Sequence, residues 1–295
     1  MALSVNWDPS RTSILRRAFA TEVLARFREV LEAIHEKLVE QDAFGYRGPG
    51  MQSVSNHLYR NQGEWSFASD ERKVQLFGLW LKDLFDRKLL TRDVLQKPWA
   101  QKYIEAAYRK GSKRAYTDAR RGDRHKRSAD FFEGATDQFI RTLDSRRLAT
   151  LGILVTRAYN EIEGVTKTMS TQITRALVAG FARGDGPREI AKAMTSSIRK
   201  LSLREANRIA RTEIVHAHAE GQLDTFEEYG TTVGVLAEIA TAGDDKVCGE
   251  CAALQGRTFS IDEARGMIPV HPNCRCAFIP AVEVATRVRL RKRKK

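Results

Sequence analysis

The 295-residue chain has only four cysteines and no long apolar run. Its longest apolar stretch, residues 148–155, is eight residues long and already includes Thr150 and Gly152. A membrane-spanning helix needs about 20 apolar residues, so the sequence excludes a membrane span. Residues 1–9 contain neither a basic start nor an apolar segment. We therefore expect no secretory signal and a location in the cytoplasm of the cell that makes the protein.

The composition is that of a globular protein. Hydrophobic residues make up 42% of the chain and charged residues 29%, which argues against disorder. At roughly 150 residues per domain, the length allows about two domains. That is enough chain to bury a core without disulfides or metals.

Positive charge exceeds negative charge strongly, with 50 Lys and Arg against 37 Asp and Glu and a net charge of +13. Such an excess favours a polyanionic partner, most often nucleic acid. Nine basic residues lie between positions 109 and 127, against two acidic ones. A basic tail carries the predicted DNA-binding residues Arg287, Arg289, Arg291, Lys292, Arg293, Lys294 and Lys295. We expect the tail to follow phosphates without sequence preference; the alternative is a merely solvated tail.

The first 185 residues predict helices. Apolar residues recur at helical spacing over 12–40 and 70–96, and another helix is expected to start at Pro98. Residues 128–183 predict two long helices joined near Gly152 or Gly164.

After Pro187 the pattern changes. A short helix is expected over 188–194, and the S-x-x-E spacing of Ser202 and Glu205 is that of a capping box that begins a new helix. That helix is expected to run to Tyr229 and to end at Gly230, a residue suited to a left-handed C-terminal cap.

Two strands are predicted beyond that point, one within 231–241 and a short one at 278–280. The predicted fold class is mainly α. A helical N-terminal region is followed by a small α+β module that contains a Cys/His cluster.

All four cysteines lie within 29 residues, together with one histidine: Cys248, Cys251, His271, Cys274 and Cys276. The C-x-x-C spacing lets two thiolates bind one tetrahedral ion. The later Cys and His residues could complete a structural zinc site. Reduced thiols packed in a small domain and disulfides remain alternatives.

A zinc-dependent nucleic-acid deaminase is the alternative function. His218-x-Glu220 followed by Cys248-x-x-Cys251 resembles the deaminase signature, in which His and two Cys hold zinc and Glu transfers protons. Two features argue against it, because Val247 stands where the signature has Pro and His218 lies in mid-helix. We therefore expect Glu220 to be an exposed helix residue without a catalytic role.

Charged residues inside the same helix need partners if they face inward. Arg211 and Glu213 are about 200° apart on a helical wheel, so one of them is expected to point inward and to need a partner. Glu213 and His216 form an E-x-x-H pair of the kind found in di-iron bundles. A polar pair on the surface is the simpler interpretation.

Three segments together resemble a known family. They are Ala210-Arg211-Thr212-Glu213, the D-x-x-V-C-x-x-C-x-x-L-x-G string from Asp244 to Gly256, and His271-Pro272-Asn273-Cys274-Arg275-Cys276. In this order and spacing they resemble the Mu F-like domain of tailed-phage head morphogenesis proteins. The motif residues outside the Cys/His cluster are Arg211, Thr212, Glu213, Asp244 and Gly256.

The resemblance implies a minor head (capsid) protein of a tailed phage or prophage. Such a protein acts in procapsid assembly and in DNA handling near the portal, with the portal protein and a scaffold or major capsid protein as partners. The resemblance implies no enzymatic activity. It also implies that the protein is located in the virion, after assembly in the host cytoplasm. The expected organisation is a helical region over 1–169, the Mu F-like domain over 170–282 and the basic tail over 283–295.

Overall fold

A computed structural model describes residues 8–41, 43, 71–92, 95–122, 144–233 and 235–282. The predicted fold class, mainly α, is confirmed. The helices are α1 (Ser13–His35) with a π-helical turn (Glu36–Glu40), α2 (Glu71–Lys88), α3 (Gln101–Gly122), α4 (Ser145–Arg183), α5 (Pro187–Val233), α6 (Gly249–Leu254) and α7 (Ile261–Ala264). The strands are β1 (Val235–Ala240), β2 (Thr258–Phe259) and β3 (Ala277–Val282). No helix in these ranges is both long and apolar enough to cross a membrane.

Helix α4 is one helix of 39 residues, and the predicted break near Gly152 or Gly164 is wrong. Glycine in a helix costs about 1 kcal/mol relative to alanine. The buried stripe of α4, which includes Ile162, Met169 and Ile173, outweighs that cost. Residues 128–143 of the predicted helices lie outside the described residues.

Helix α5 has 47 residues, and the predicted separate helix over 188–194 is wrong. The predicted capping box is wrong too, because the Ser202 hydroxyl donates a hydrogen bond of 3.0 Å to the carbonyl of Arg199, one turn back. Glu205 accepts a hydrogen bond of 2.6 Å from Arg208. A serine acts as an N-cap only where a helix begins. Buried side chains on both sides of Ser202 keep this segment helical, so no helix begins there.

The end of α5 also differs from the prediction. The helix passes Gly230 and ends at Val233. The first strand is confirmed, but it begins at Val235 and not at position 231. The second predicted strand, 278–280, is confirmed within β3.

The chain divides into two compact units. The first unit consists of Met1–Ser13, Ile104–Leu154 and Arg211–Lys295, and the second of Ile14–Tyr103 and Val155–Ala210. The division expected from the sequence, at residues 169/170 and 282/283, stays a prediction.

The second unit has an aromatic core. The Phe19 ring stacks on Tyr103 with centroids 4.9 Å apart and meets Trp99 edge-on at 5.7 Å. The Arg26 guanidinium lies 4.2 Å above the Trp99 ring and donates a hydrogen bond of 2.9 Å to the carbonyl of Lys88. These contacts join α1 to the ends of α2 and α3.

In the first unit, α3 and α5 cross with their backbones in contact. A Cβ placed on Gly111 would lie 2.0 Å from the carbonyl oxygen of His218, and one on Gly221 would lie 2.2 Å from that of Tyr108. The Ser112 hydroxyl donates a hydrogen bond of 3.0 Å to the Gly221 carbonyl. Only glycine permits this approach from both helices.

The antiparallel sheet has the order β2-β1-β3, and β1 pairs with β3 from Val235↔Val282 to Ala240↔Ala277. The Gln222 side chain of α5 joins the sheet to the helix. Its amide donates to the Phe278 carbonyl at 2.7 Å and accepts from the Phe278 N–H at 3.1 Å. The sheet, α5 and the cysteines share one buried apolar core.

Candidate metal centre and the motif residues around it

The C-x-x-C segment coincides with the start of α6. Cys248 is the N-cap residue, and its Sγ accepts a hydrogen bond of 3.4 Å from the Cys251 N–H. A capped first turn therefore places the two thiols at the same helix end. Cys251 is buried and Cys248 is half-buried.

His271 faces both thiols through one ring nitrogen. Its Nε2 lies 3.2 Å from the Sγ of Cys248 and 3.2 Å from the Sγ of Cys251. Its Nδ1 lies 2.8 Å from the Pro272 carbonyl oxygen, which can only accept a hydrogen bond. Nδ1 therefore carries the proton, and Nε2 presents its lone pair to the thiols, as in histidines that bind metals.

A second group of ligand atoms shares Cys251 with the first. It contains Cys251, Cys274 and Cys276, all buried. The Sγ atoms of Cys251 and Cys274 are 3.9 Å apart, and the Cys276 N–H lies 3.5 Å from the Cys274 Sγ. In each group the ligand atoms lie within 4.8 Å of one another.

These spacings suit a tetrahedral ion. Metal–ligand bonds of about 2.0–2.3 Å place neighbouring ligand atoms roughly 3.5–3.8 Å apart, and the closest contacts here span 3.2–3.9 Å. None of the four cysteines forms a disulfide. The Cys/His groups can therefore bind a metal ion.

The local electrostatics favour a thiolate in this cluster. A hydrogen bond from the Cys276 thiol, helped by backbone N–H groups, lowers the pKa of Cys274 to about 5. Burial raises the pKa of Cys251 to about 12, and the Cys274 thiolate adds to that rise. The hydrogen bond to the Pro272 carbonyl raises the pKa of His271. One negative sulfur next to a histidine lone pair is a suitable site for a cation.

A cavity of about 30 Å³ opens beside the thiols, lined in part by Thr241, Val247, Cys248, His271 and Asn273. The cavity is half open to solvent, so a metal ion can reach the thiols and His271.

The motif segments meet at this cluster. Arg275 donates two hydrogen bonds to Asp244, Nη1 to Oδ2 and Nη2 to Oδ1, both 2.6 Å. These bonds lower the pKa of Asp244. The Asn273 N–H lies 3.4 Å from the Thr212 hydroxyl of α5. The three segments that are separate in sequence thus form one connected structure.

A comparison with protein families finds that residues 171–279 match the family described as Phage Mu protein F like protein. This segment belongs to the Phage Mu F-like family. The resemblance expected from the sequence is thereby confirmed, and the family suggests a protein of phage head morphogenesis. Comparisons with curated proteins and with solved structures found no match.

Gly256, a further motif position of the Mu F-like domain, has a clear structural role. Gly256 has a φ of +74°, a left-handed conformation that favours glycine, and its N–H donates a hydrogen bond of 2.9 Å to the Ile239 carbonyl.

Glu213 is buried and Arg211 is exposed. The expectation that one of this pair faces inward is confirmed. The surface location expected for Glu213 and His216 is wrong, because both are buried.

The residues of the deaminase alternative are not brought together. His218 lies on α5 at the crossing with α3, and burial lowers its pKa to about 3. Among the described residues, the ligand groups around Cys251 include His271 and not His218. The geometry therefore does not bring His218 to Cys248 and Cys251, as the deaminase signature in the sequence requires.

The expectation that Glu220 is exposed is wrong. Its side chain is buried, and it accepts hydrogen bonds from the Gly266 N–H at 2.9 Å and from Arg265 at 3.1 Å. Arg265 also contacts Asp224 at 2.8 Å and Glu227 at 2.5 Å. The sequence held no signal for Arg265, because its partners lie about 40 residues away on α5.

Only part of the predicted DNA-binding sequence is described. Residues 287–295 and residues 123–127 of the basic run lie outside the described residues. Within α3, Arg109 pairs with Glu105 at 2.8 Å and Arg114 pairs with Asp118. The described part of the basic run is therefore partly neutralised within its own helix.

Proposed function

We propose that this protein is a minor head protein of a tailed bacteriophage or prophage, acting in procapsid assembly near the portal. The match of residues 171–279 to the Phage Mu F-like family carries this proposal. Its partners are the portal protein and a scaffold or major capsid protein, and it is part of the virion. The role is structural, not enzymatic.

The contacts of the motif residues support a structural role. The pair of Asp244 and Arg275 joins the segment before α6 to the segment before β3. The contact between Asn273 and Thr212 joins the segment before β3 to α5. Such residues make a rigid module that a larger assembly can bind.

One structural zinc ion is part of the proposal. Cys248, Cys251 and His271 form one ligand group and would supply three ligands. The fourth would come from the neighbouring group, from Cys274, whose Sγ lies 3.9 Å from that of Cys251, or from Cys276. Bound there, the ion would cross-link α6 to the segment before β3. Zinc has no redox chemistry of its own and stabilises small domains by such cross-links.

DNA handling is proposed from charge. The basic tail has seven Lys and Arg in nine residues and can neutralise phosphates without reading bases. The protein would thus hold DNA non-specifically while its folded part binds the head.

Capture by the portal protein tests the proposed function. Tagged portal protein is incubated with the full chain after nuclease treatment, and bound chain is measured. We expect capture of wild type, and reduced capture of Asp244→Asn, which breaks the pair with Arg275. Asp245→Asn is the matched control, because Asp245 is exposed.

Capture that is no stronger than with an unrelated basic protein of equal charge would contradict the portal assignment. Mass spectrometry of purified procapsids gives a second readout. The chain should be found in procapsids, at few copies relative to the major capsid protein.

A further inference from the structure

One face of α5 carries a series of cations. Its members, all exposed and all in the second unit, are Lys192, Arg199, Lys200 and Arg204; we call them the α5 basic stripe. At 100° per residue they lie within an arc of about 140°. With a rise of 1.5 Å per residue, the stripe is about 18 Å long.

Little negative charge opposes this stripe. Between residues 192 and 211 the only acidic residue is Glu205, which lies outside the arc and pairs with Arg208 and Arg204. In the described part of the chain, no carboxylate lies within ion-pair distance of Lys192, Arg199 or Lys200. Between residues 192 and 204 the other side chains on the arc are Ala193, Ser196 and Leu203.

We propose that the α5 basic stripe is a binding surface for the phosphate backbone of duplex DNA. The choice of DNA rests on the proposed head function, and the surface is additional to the basic tail. Duplex DNA carries one charge per about 1.7 Å of its axis, so a stretch of duplex as long as the stripe carries roughly 10 phosphate charges. Lys192, Arg199 and Lys200, with Arg204 beside them, can contact several of these phosphates at once.

The composition of the stripe favours DNA over an acidic protein. Protein–protein interfaces are built on an apolar or aromatic centre with charged residues at the rim. Leu203 is the one large apolar side chain on this arc, and the only other apolar one on it between residues 192 and 204 is Ala193. Interfaces with DNA are more polar and much more positively charged, which is the composition found here.

A charge-matched pair of variants of the full chain tests the proposal. The stripe variant is Lys192→Gln, Arg199→Gln, Lys200→Gln and Arg204→Gln. The control variant is Arg17→Gln, Arg28→Gln, Lys82→Gln and Lys97→Gln, four exposed cations on other elements of the second unit. Both variants lose four charges and keep the tail.

Binding to a random-sequence duplex of about 30 base pairs is measured by fluorescence anisotropy at several salt concentrations. Each lost phosphate contact reduces the log–log salt slope by about 0.9, so the stripe variant should lose about 3 to 4 in slope. Its affinity at low salt should fall at least tenfold. The control variant should change the slope by less than 1, and circular dichroism should show both variants folded.

Equal losses in the two variants would overturn the proposal, because net charge alone would then explain the binding. Wild-type DNA affinity in the stripe variant together with lost portal capture would also overturn it, and would assign the stripe to an acidic protein surface. Portal capture is read separately, so a failed DNA test leaves the proposed head function standing.

Discussion

Glu220 on α5 and Arg265 after α7 form a buried ion pair, with Oε2 and Nη1 3.1 Å apart. The other carboxylate oxygen accepts the Gly266 N–H at 2.9 Å. The pair fixes the segment after α7 against the long helix. Glu220, which the sequence predicts to be exposed, therefore makes buried polar contacts that hold the Mu F-like domain together.

Replacing Glu220 by alanine should destabilise the protein. Arg265 and the Gly266 N–H would lose an acceptor in a buried place, which costs about 1–3 kcal/mol. Chemical denaturation measures the free energy of unfolding. Glu189→Ala, at an exposed position of the same helix, should change it by less than about 0.5 kcal/mol. Equal effects of the two substitutions would show that the Glu220 contacts do not contribute.

Gly111→Ala should lower the melting temperature strongly or prevent folding. The new Cβ would lie 2.0 Å from the His218 carbonyl oxygen, so the two helices would have to move apart and their packing would be lost, at a cost of about 3 kcal/mol or more. Gly164→Ala is the control, because nothing lies within 4 Å of its added Cβ. It should stabilise α4 by about 0.5–1 kcal/mol. Thermal melts followed by circular dichroism measure both, and a mild effect at Gly111 would contradict the close crossing.

Stability should depend on pH through His218. Burial lowers its folded-state pKa from 6.5 to about 3, and Arg114 adds to the effect. The unfolded chain then binds a proton that the folded chain does not, so the contribution is complete above pH 6.5 and is lost as the pH falls from 6.5 towards 3. At pH 5 the loss is about 2 kcal/mol.

His218→Gln should remove this part of the pH dependence, whatever its effect on stability at pH 8. The measurement is the free energy of unfolding at pH 8, 6.5 and 5. The same slope in wild type and variant would show that His218 does not stay neutral in the folded protein.

The substitution Cys248→Ser distinguishes between a metal site and a cluster of packed, reduced thiols. Serine is a good N-cap residue, so the substitution keeps the cap of α6 and removes only the thiolate. With zinc bound, the variant should lose about one zinc per chain and expose the Mu F-like domain to protease. With packed thiols, it should be as stable as wild type. Ser260→Ala, which removes the cap of α7, should keep the metal, and atomic absorption measures it.

Deleting residues 287–295 should weaken DNA binding equally for all sequences. Seven cations on seven phosphates correspond to a log–log salt slope of about −6, and fewer contacts give a smaller one. The deletion should flatten that slope without changing the melting temperature. Unchanged affinity and slope would assign the tail to another role.

Local patterns were sufficient for several elements. The apolar spacing over 12–40 and 70–96 predicted α1 and α2, and the residues after Gly230 predicted the first strand. The two-residue strand β2 and the short helices α6 and α7 were not predicted, because their few residues carry no periodicity. They form through contacts with β1 and the cysteine cluster.

The wrong predictions of helix ends at Gly152, Gly164 and Ser202 share one cause. The two glycines have local preferences for ending a helix, and the serine has one for starting it. At each of these positions the helix continues, because its buried side chains contribute more than a cap or a glycine costs. A local signal about a helix end is weak wherever both sides of it are buried.

The sequence by itself determined the mainly helical fold, the residues that could bind a metal and the family of residues 171–279, because spacing and residue type suffice for these. Only the tertiary structure decided which charges are buried. Glu220 became a buried partner of Arg265, 45 residues away, and His218 became a neutral histidine at the α3–α5 crossing. Burial depends on what packs against a residue from distant parts of the chain, and no local pattern carries that information.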